Sequence, residues 1–223
     1  MSRRLIFPLL MGLVGVAILI GLGVWQVQRM YWKAGVLAQI AAMIVADPVA
    51  LPAVQDAVTD RYRPVAVAGR YTGESIEVLS SRARIGPGVR IIAAFETTEG
   101  RRILIDRGFL AEDDRGAVRT VTEARVVGNL HWPLDADSYT PPPDPKTGLW
   151  FARDVPALAQ ALRTEPIFIV AREPTGDAIT PMPIDTSTIP NDHWGYAITW
   201  FLLAAAWAGM TAYLVWRIRR RTV

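Results

Sequence analysis

The chain has 223 residues, of which 51% are hydrophobic and 20% are charged, with a formal net charge of +3. This composition is too apolar for an ordinary soluble domain and too charged for a bundle of many membrane helices. Two apolar segments of about 20 residues and one water-facing domain of roughly 150 residues account for it. The absence of cysteine excludes disulfides, thiolate metal sites and covalent attachment of c-type haem. The small net charge gives little support to nucleic-acid binding, and we expect no nucleic-acid partner.

A first apolar segment runs from Leu5 to Val24 without a charge, between Arg3-Arg4 and a girdle of aromatic and basic residues. This pattern is typical of a helix that ends at a membrane interface. A cleaved signal peptide would have a shorter apolar core and a small-residue cleavage site, which this segment lacks. We therefore predict a cytoplasmic N-terminus at residues 1–4 and an uncleaved transmembrane helix at residues 5–28.

A second apolar segment runs from Trp194 to Trp216 and is followed by four arginines. Because positive residues favour the cytoplasmic side, we predict a second transmembrane helix at residues 191–216 and a cytoplasmic basic tail at 217–223. Residues 29–190 would then form an extracytoplasmic domain. No Arg- and Ser-rich presequence precedes the first segment, which favours a multi-pass protein of the bacterial inner membrane with its main domain in the periplasm.

Small residues in both segments predict that the two helices pack as an antiparallel pair, because close backbone approach stabilises helix pairs in lipid. The alternative is that only the intervening domain holds the helices near each other. The small residues are Gly12, Gly15, Ala17, Gly21, Ala204, Ala205, Ala208 and Gly209.

The sequence of the central region predicts mostly strands. Helical spacing at residues 33–46 predicts that a helix continues from the first segment until Asp47-Pro48. Thr98-Glu99-Gly100 predicts a hairpin turn, and Asp154–Leu162 predicts a short helix with Asp154 as its cap. The predicted strands are Pro64–Arg70, Ser75–Leu79, Val89–Thr97, Arg102–Arg107, Val121–Leu130 and Glu165–Ala171. The predicted fold class is therefore membrane-anchored α+β: two terminal transmembrane helices flank a mostly antiparallel small barrel or sandwich with one or two helices.

Catalytic patterns are sparse. The sequence has no phosphate-binding loop, no Gly-x-Gly-x-x-Gly between a strand and a helix, no His-Glu-x-x-His and no nucleophile elbow. The acidic residues 112–114 precede Arg115 and read as a solvated surface. Asp106 and Arg107 read as a local ion pair at a strand end, and His131 reads as a residue at the barrel rim.

His193 differs because it directly precedes the second apolar segment. A neutral imidazole can offer one nitrogen to a metal or a haem iron. Helical spacing places His193, Tyr196, Ala197, Trp200 and Ala204 on one stripe. A flat apolar macrocycle could lie there, with its polar edges directed towards Arg29 or Lys33. The alternative is that these are ordinary interfacial residues of a membrane helix.

Five segments, taken in order with the two flanking apolar helices, resemble the Surf1/Shy1 family of cytochrome c oxidase assembly factors. The resemblance covers almost the whole chain. The segments are Gly23-Val24-Trp25-Gln26-Val27-Gln28-Arg29-Met30-Tyr31-Trp32-Lys33, Tyr62-Arg63-Pro64-Val65 with Gly69, Leu104-Ile105-Asp106-Arg107-Gly108-Phe109, Glu165-Pro166-Ile167-Phe168-Ile169, and Asn191-Asp192-His193 with Tyr196 and Thr199-Trp200-Phe201.

The resemblance implies a non-enzymatic role in helping haem a reach subunit I of the oxidase. It makes His193 the expected axial ligand of the haem iron and Tyr196 and Trp200 its neighbours. Trp25, Gln26 and Arg29 match the family motif on the facing helix, and the resemblance places them with His193, Tyr196 and Trp200 among the expected cofactor-binding residues. The implied partners are subunit I, haem a synthase and the membrane. The resemblance leaves open whether the protein forms a homo-oligomer. The rival hypotheses are a cofactor-free membrane scaffold that stabilises an oxidase assembly intermediate and a membrane-anchored enzyme acting on envelope substrates.

Overall fold

The computed structural model describes residues 3–115, 122–187 and 189–221. The chain divides into two units, one formed by residues 1–39 with 186–223 and the other by residues 40–185. The first unit consists of the long terminal helices, and the second contains a six-stranded sheet with a short helix.

Two long helices begin and end the described chain: α1 at Arg3–Ile44 and, after a short helix α2, α3 at His193–Arg221. Both are long and apolar enough to cross a membrane. An 18-residue stretch within each has a mean hydropathy of 2.7 in α1 and 1.6 in α3, and only 6% of each stretch is buried. The helix predicted at residues 33–46 is the continuation of α1. At about 1.5 Å per residue, α1 is roughly 63 Å long, twice the thickness of a bilayer's hydrocarbon core.

The helices α1 and α3 pack as an antiparallel pair, as predicted. Gly12 lies against Thr211, Gly15 against Trp207 and Gly23 against Phe201. At each of these three glycines an α3 side chain lies directly against the α1 backbone, and Ala197 and Ala204 of α3 are buried. This close approach is the arrangement that stabilises helix pairs where lipid offers equally apolar surroundings.

Of the eight small residues predicted to make this contact, Gly12 and Gly15 do so and Ala204 is buried. Five of the eight are exposed: Ala17, Gly21, Ala205, Ala208 and Gly209. A side chain at Gly21 or Gly209 would meet no other atom within 4 Å. A helix that is apolar on all sides carries no polar face, so composition alone does not show which side meets the partner helix.

The sheet closes on itself, which favours a barrel over a sandwich. Its order is β1-β2-β3-β4-β6-β5, and β5 pairs again with β2. Four strand pairs are antiparallel, and β1–β2 and β4–β6 are parallel. The sheet is therefore mixed, although antiparallel pairs dominate. The strands are β1 Val49–Ala50, β2 Pro64–Arg82, β3 Gly86–Thr97, β4 Arg102–Ala111, β5 Glu123–Leu130 and β6 Phe168–Ala171.

Alternation along each strand produces two packed faces. In β4, Ile103 and Ile105 belong to one buried cluster, whereas Leu104 belongs to another that includes residues of α2. The helix α2 spans Val155–Leu162, its Asp154 cap accepts a hydrogen bond from the backbone N–H of Ala157, and a proline stands in its first turn. These capping signals confirm the predicted helix.

Two predicted strands merge into one. Residues 64–70 and 75–79 both lie in β2, whose register against β3 shifts between Tyr71 and Ser75. The strand predicted from Glu165 begins only at Phe168, and Val121, where another was predicted to begin, lies outside the described residues. The predicted turn at residues 98–100 does connect β3 to β4, with Gly100 at a φ of +80°.

Asp106 and Arg107 are both buried, but they do not form the predicted local ion pair. Asp106 pairs with Arg90 at 2.8 Å, and Arg107 pairs with Asp177 at 2.9 Å. Successive residues of a strand point to opposite faces, so each reaches a different neighbour. Arg107 also donates from Nη2 to the carbonyl oxygen of Thr175 at 2.6 Å and thereby holds the segment after β6.

The helix contact predicts a graded response to enlarged glycines. Gly12→Leu should destabilise the detergent-purified protein by about 1–3 kcal/mol, because the new side chain overlaps Thr211. Gly21→Leu, on the exposed side of the same helix, should leave the thermal midpoint unchanged. Equal midpoints for the two variants would contradict the pairing of α1 with α3.

The buried ion pair predicts a large effect at Arg107. Arg107→Met breaks the ion pair with Asp177, and breaking such a buried pair costs about 3–5 kcal/mol. Arg84→Met makes the same chemical change at an exposed position and should be nearly neutral. Chemical unfolding of both variants measures the difference, and a similar loss in both would show that the Arg107 pair adds little.

Candidate functional site

The start of α3 is tied to α1 by three hydrogen bonds. His193 Nδ1 lies 2.8 Å from Gln26 Oε1. Asn191 Nδ2 donates to the carbonyl oxygen of Met30 at 3.4 Å, and Lys33 Nζ donates to the carbonyl oxygen of Pro190 at 2.7 Å. Residues 26, 30 and 33 follow the helical spacing of one stripe of α1. The chain segment that leads into α3 is therefore held along one side of α1.

The contact with Gln26 assigns the two nitrogens of His193. With the amide oxygen of Gln26 facing the ring, the contact is a hydrogen bond when Nδ1 donates, and in the neutral imidazole this leaves the lone pair on Nε2. An imidazole held through Nδ1–H by an acceptor is the usual arrangement of a histidine that ligates a metal through Nε2. His193 is half-buried, so its ring is partly shielded. The donor set therefore fits an iron that accepts one imidazole nitrogen.

The other predicted site residues surround this pair less closely. On α3, Trp200 is half-buried, whereas Tyr196 is 60% exposed. The predicted stripe is therefore only partly buried: Ala197 and Ala204 are buried, whereas Tyr196 is exposed. On α1, Trp25 is 55% exposed. Among the described residues of the predicted site, the structure joins His193 and Gln26 directly.

Two basic residues were expected to meet the polar edges of a ligand. The guanidinium of Arg29 lies 4.0 Å from the centre of the Trp32 ring, a cation–π contact on its own helix, and its side chain is exposed. Lys33 instead donates to Pro190. Arg29 is thus the more available cation, and Lys33 stabilises the start of α3.

Asn191 is a site residue to which sequence reasoning assigned no role. Its Nδ2 bonds to α1, and its Oδ1 is buried without a hydrogen-bond partner in the described part of the chain. A buried acceptor of this kind is costly unless it is paired. The available signal was a polar amide two residues before His193, inside the motif that resembles the family.

His131 is chemically different. It follows β5, its ring stacks on Tyr62 with centroids 5.6 Å apart, and burial lowers its pKa from 6.5 to about 4, with Arg153 and Arg61 adding to the effect. The surrounding guanidinium groups disfavour a bound cation. His131 lies at the end of a strand, as the sequence predicted.

No group of three or more His, Asp or Glu residues suited to a metal ion occurs within residues 3–115, 122–187 and 189–221. The predicted solvated surface at residues 112–114 is a short 3₁₀ helix whose Glu112 pairs with Arg115 at 2.7 Å.

Comparison with known proteins places these features in a family. The model of the SURF1 family matches residues 13–205, which include both Gln26 and His193. Surfeit locus protein 1 of Rattus norvegicus is 30% identical over 220 residues, covering 88% of this chain and 71% of the rat protein. The human protein of the same name is 29% identical over 218 residues, covering 87% and 71%. The SURF1-like protein of Rickettsia felis is 28% identical over 223 residues, covering 95% and 96%.

The environment of His131 predicts a dependence of stability on pH. Its pKa is near 6.5 in the unfolded chain and about 4 in the folded protein, so the unfolded state binds more protons between these values. Stability should fall as the pH drops from about 6.5 to 4 and should lose no more from this residue below that range. His131→Gln should flatten this part of the profile in chemical unfolding measured at several pH values. A profile unchanged by His131→Gln would contradict the assignment.

Proposed function

Because the chain belongs to the SURF1 family, we propose that it is a non-enzymatic assembly factor for a haem-copper cytochrome c oxidase. It binds haem a through His193 and assists the insertion of haem a into subunit I. The observation that carries this proposal is the hydrogen bond from His193 Nδ1 to Gln26 Oε1, which leaves Nε2 available to iron.

We place the protein in a bacterial inner membrane with residues 40–185 on the periplasmic side. The long exposed apolar surfaces of α1 and α3 support a location in a membrane, because such surfaces are unfavourable in water. The SURF1-like protein of Rickettsia felis supports a bacterial setting. The arginines after Trp216 support a cytoplasmic C-terminus.

Haem a supplies an iron that accepts imidazole and a large apolar ring that is poorly soluble in water. His193 provides one ligand from the start of α3. The aromatic rings of Trp25, Tyr196 and Trp200 provide apolar surface, which contributes about 25 cal/mol for each Å² removed from water. The exposed guanidinium of Arg29 suits the negatively charged edge of a haem.

A single imidazole ligand suits a carrier that must later release the haem. One ligand and apolar contact would hold the ring, and an acceptor that offers better ligation would displace His193 without nucleotide hydrolysis. Direction then comes from the difference in affinity between the carrier and subunit I. The haem a synthase is the expected donor, and subunit I is the expected acceptor.

Replacing the ligand tests the proposal. His193→Ala should abolish the low-spin haem spectrum of full-length protein purified in detergent from cells that make haem a, because the iron loses its nitrogen ligand. Visible absorption and pigment extraction measure ligation and occupancy separately.

His131→Ala removes the other histidine and is the matched control. It should keep the spectrum, since burial among arginines removes His131 from iron binding. An unchanged spectrum and occupancy in His193→Ala would show that His193 is not the ligand. A wild-type protein that carries no haem, while substitutions on the β-domain surface lower the haem content of the oxidase, would favour the cofactor-free scaffold instead.

A further inference from the structure

We infer that Gln26 is a positioning residue that sets how strongly His193 holds a metal, and that it acts through Nδ1 of the imidazole without touching the cofactor. This inference rests on the proposed function. It also changes the expected role of Gln26, which the family motif had placed among residues that contact the cofactor.

The first step is the tautomer. In a neutral imidazole, the hydrogen bond made by one nitrogen decides which nitrogen carries the proton. Gln26 Oε1 lies 2.8 Å from Nδ1 and has no proton to donate. The hydrogen bond therefore selects the form in which Nε2 is an unprotonated donor, and it also fixes the orientation of the ring.

The second step is the precision of this contact. The start of α3 is held on either side of His193 by packing and by a hydrogen bond from a side chain to a backbone carbonyl. Asn191 bonds to the carbonyl oxygen of Met30, one helical turn beyond Gln26 on α1. Gly23, nearly one turn before Gln26, lets the ring of Phe201 pack directly on the α1 backbone. These contacts hold Gln26 and His193 at hydrogen-bonding distance.

The third step is the chemistry of an amide. A carboxylate at this position would attract the Nδ1 proton strongly and would make the ring a more basic ligand. Hydrogen bonds to a charged acceptor are roughly twice as strong as those between neutral groups. Glutamine therefore selects the tautomer but leaves the imidazole a moderate donor. This combination suits a protein that must release what it binds.

The tautomer is tested in the absence of any haem. The full-length chain contains two histidines, so nitrogen-15 NMR of selectively labelled protein in detergent resolves both rings at a pH where they are neutral. His193 should carry its proton on Nδ1 in the wild type, and Gln26→Ala should move a substantial fraction to Nε2. The signals of His131 serve as the internal reference.

The strength of the ligand is tested with iron protoporphyrin IX added to the haem-free protein. Gln26→Ala should weaken binding by about 10- to 100-fold, the usual effect of removing a partner of a metal ligand. Gln26→Glu should bind more tightly, should lower the reduction potential of the iron, and should slow the loss of haem to an excess of a haem-scavenging protein. Gln28→Ala and Gln28→Glu make the same changes at an exposed position on α1 and should leave all three quantities as in the wild type.

The outcomes separate this inference from the proposed function. A wild-type His193 with its proton on Nε2 overturns the inference even if the protein binds haem. A Gln26→Glu variant with the potential of Gln28→Glu overturns the tuning role. If the tautomers are as expected but the protein never binds an iron porphyrin, Gln26 is supported as the partner of His193. The absence of binding then overturns both the haem proposal and the tuning role.

Discussion

The candidate site depends on how closely two apolar helices approach each other. In the membrane setting that we propose, the hydrophobic effect does not favour one helix neighbour over another, so contact must come from close packing and hydrogen bonds. Glycines 12, 15 and 23 provide the proximity, and the bonds made by Gln26, Met30 and Lys33 secure the end of the pair. The orientation of His193 is a consequence of this packing, because its partner belongs to the other helix.

The barrel contributes a different kind of stability. A closed sheet pairs its strands around the ring and avoids an open edge. Within the barrel, Asp106 of β4 pairs with Arg90 of β3. Arg90 and Arg107 also hold the segment after β6, through the carbonyl oxygen of Met182 and the carboxylate of Asp177. Such pairs are expensive to break because the charge that remains is largely shielded from water. The β-domain is thus a stable body between the two apolar helices in the chain, and its surface is available to the protein partners that we propose.

The two histidines show how environment separates residues of one type. His131 is kept neutral by burial and by nearby arginines, and that surrounding charge disfavours a cation. His193 is oriented by a neutral amide and keeps one nitrogen uncommitted. The position of each was predictable from local sequence, since His131 comes directly after a strand and His193 begins a helix. Their different roles arise from neighbours that lie far away in the chain.

Local patterns were sufficient for the two apolar helices, the capped helix α2, the hairpin turn at 98–100 and most strands, because hydrophobic period and capping act over a few residues. They were insufficient for the face on which α1 meets α3, since both helices are apolar all round. They also missed the separate partners of Asp106 and Arg107. The motif drew attention to Gln26 and His193, but these residues are 167 positions apart, and no local spacing encodes a hydrogen bond between them. That contact exists only once the helices pack, because packing alone brings the amide and the imidazole to within bonding distance.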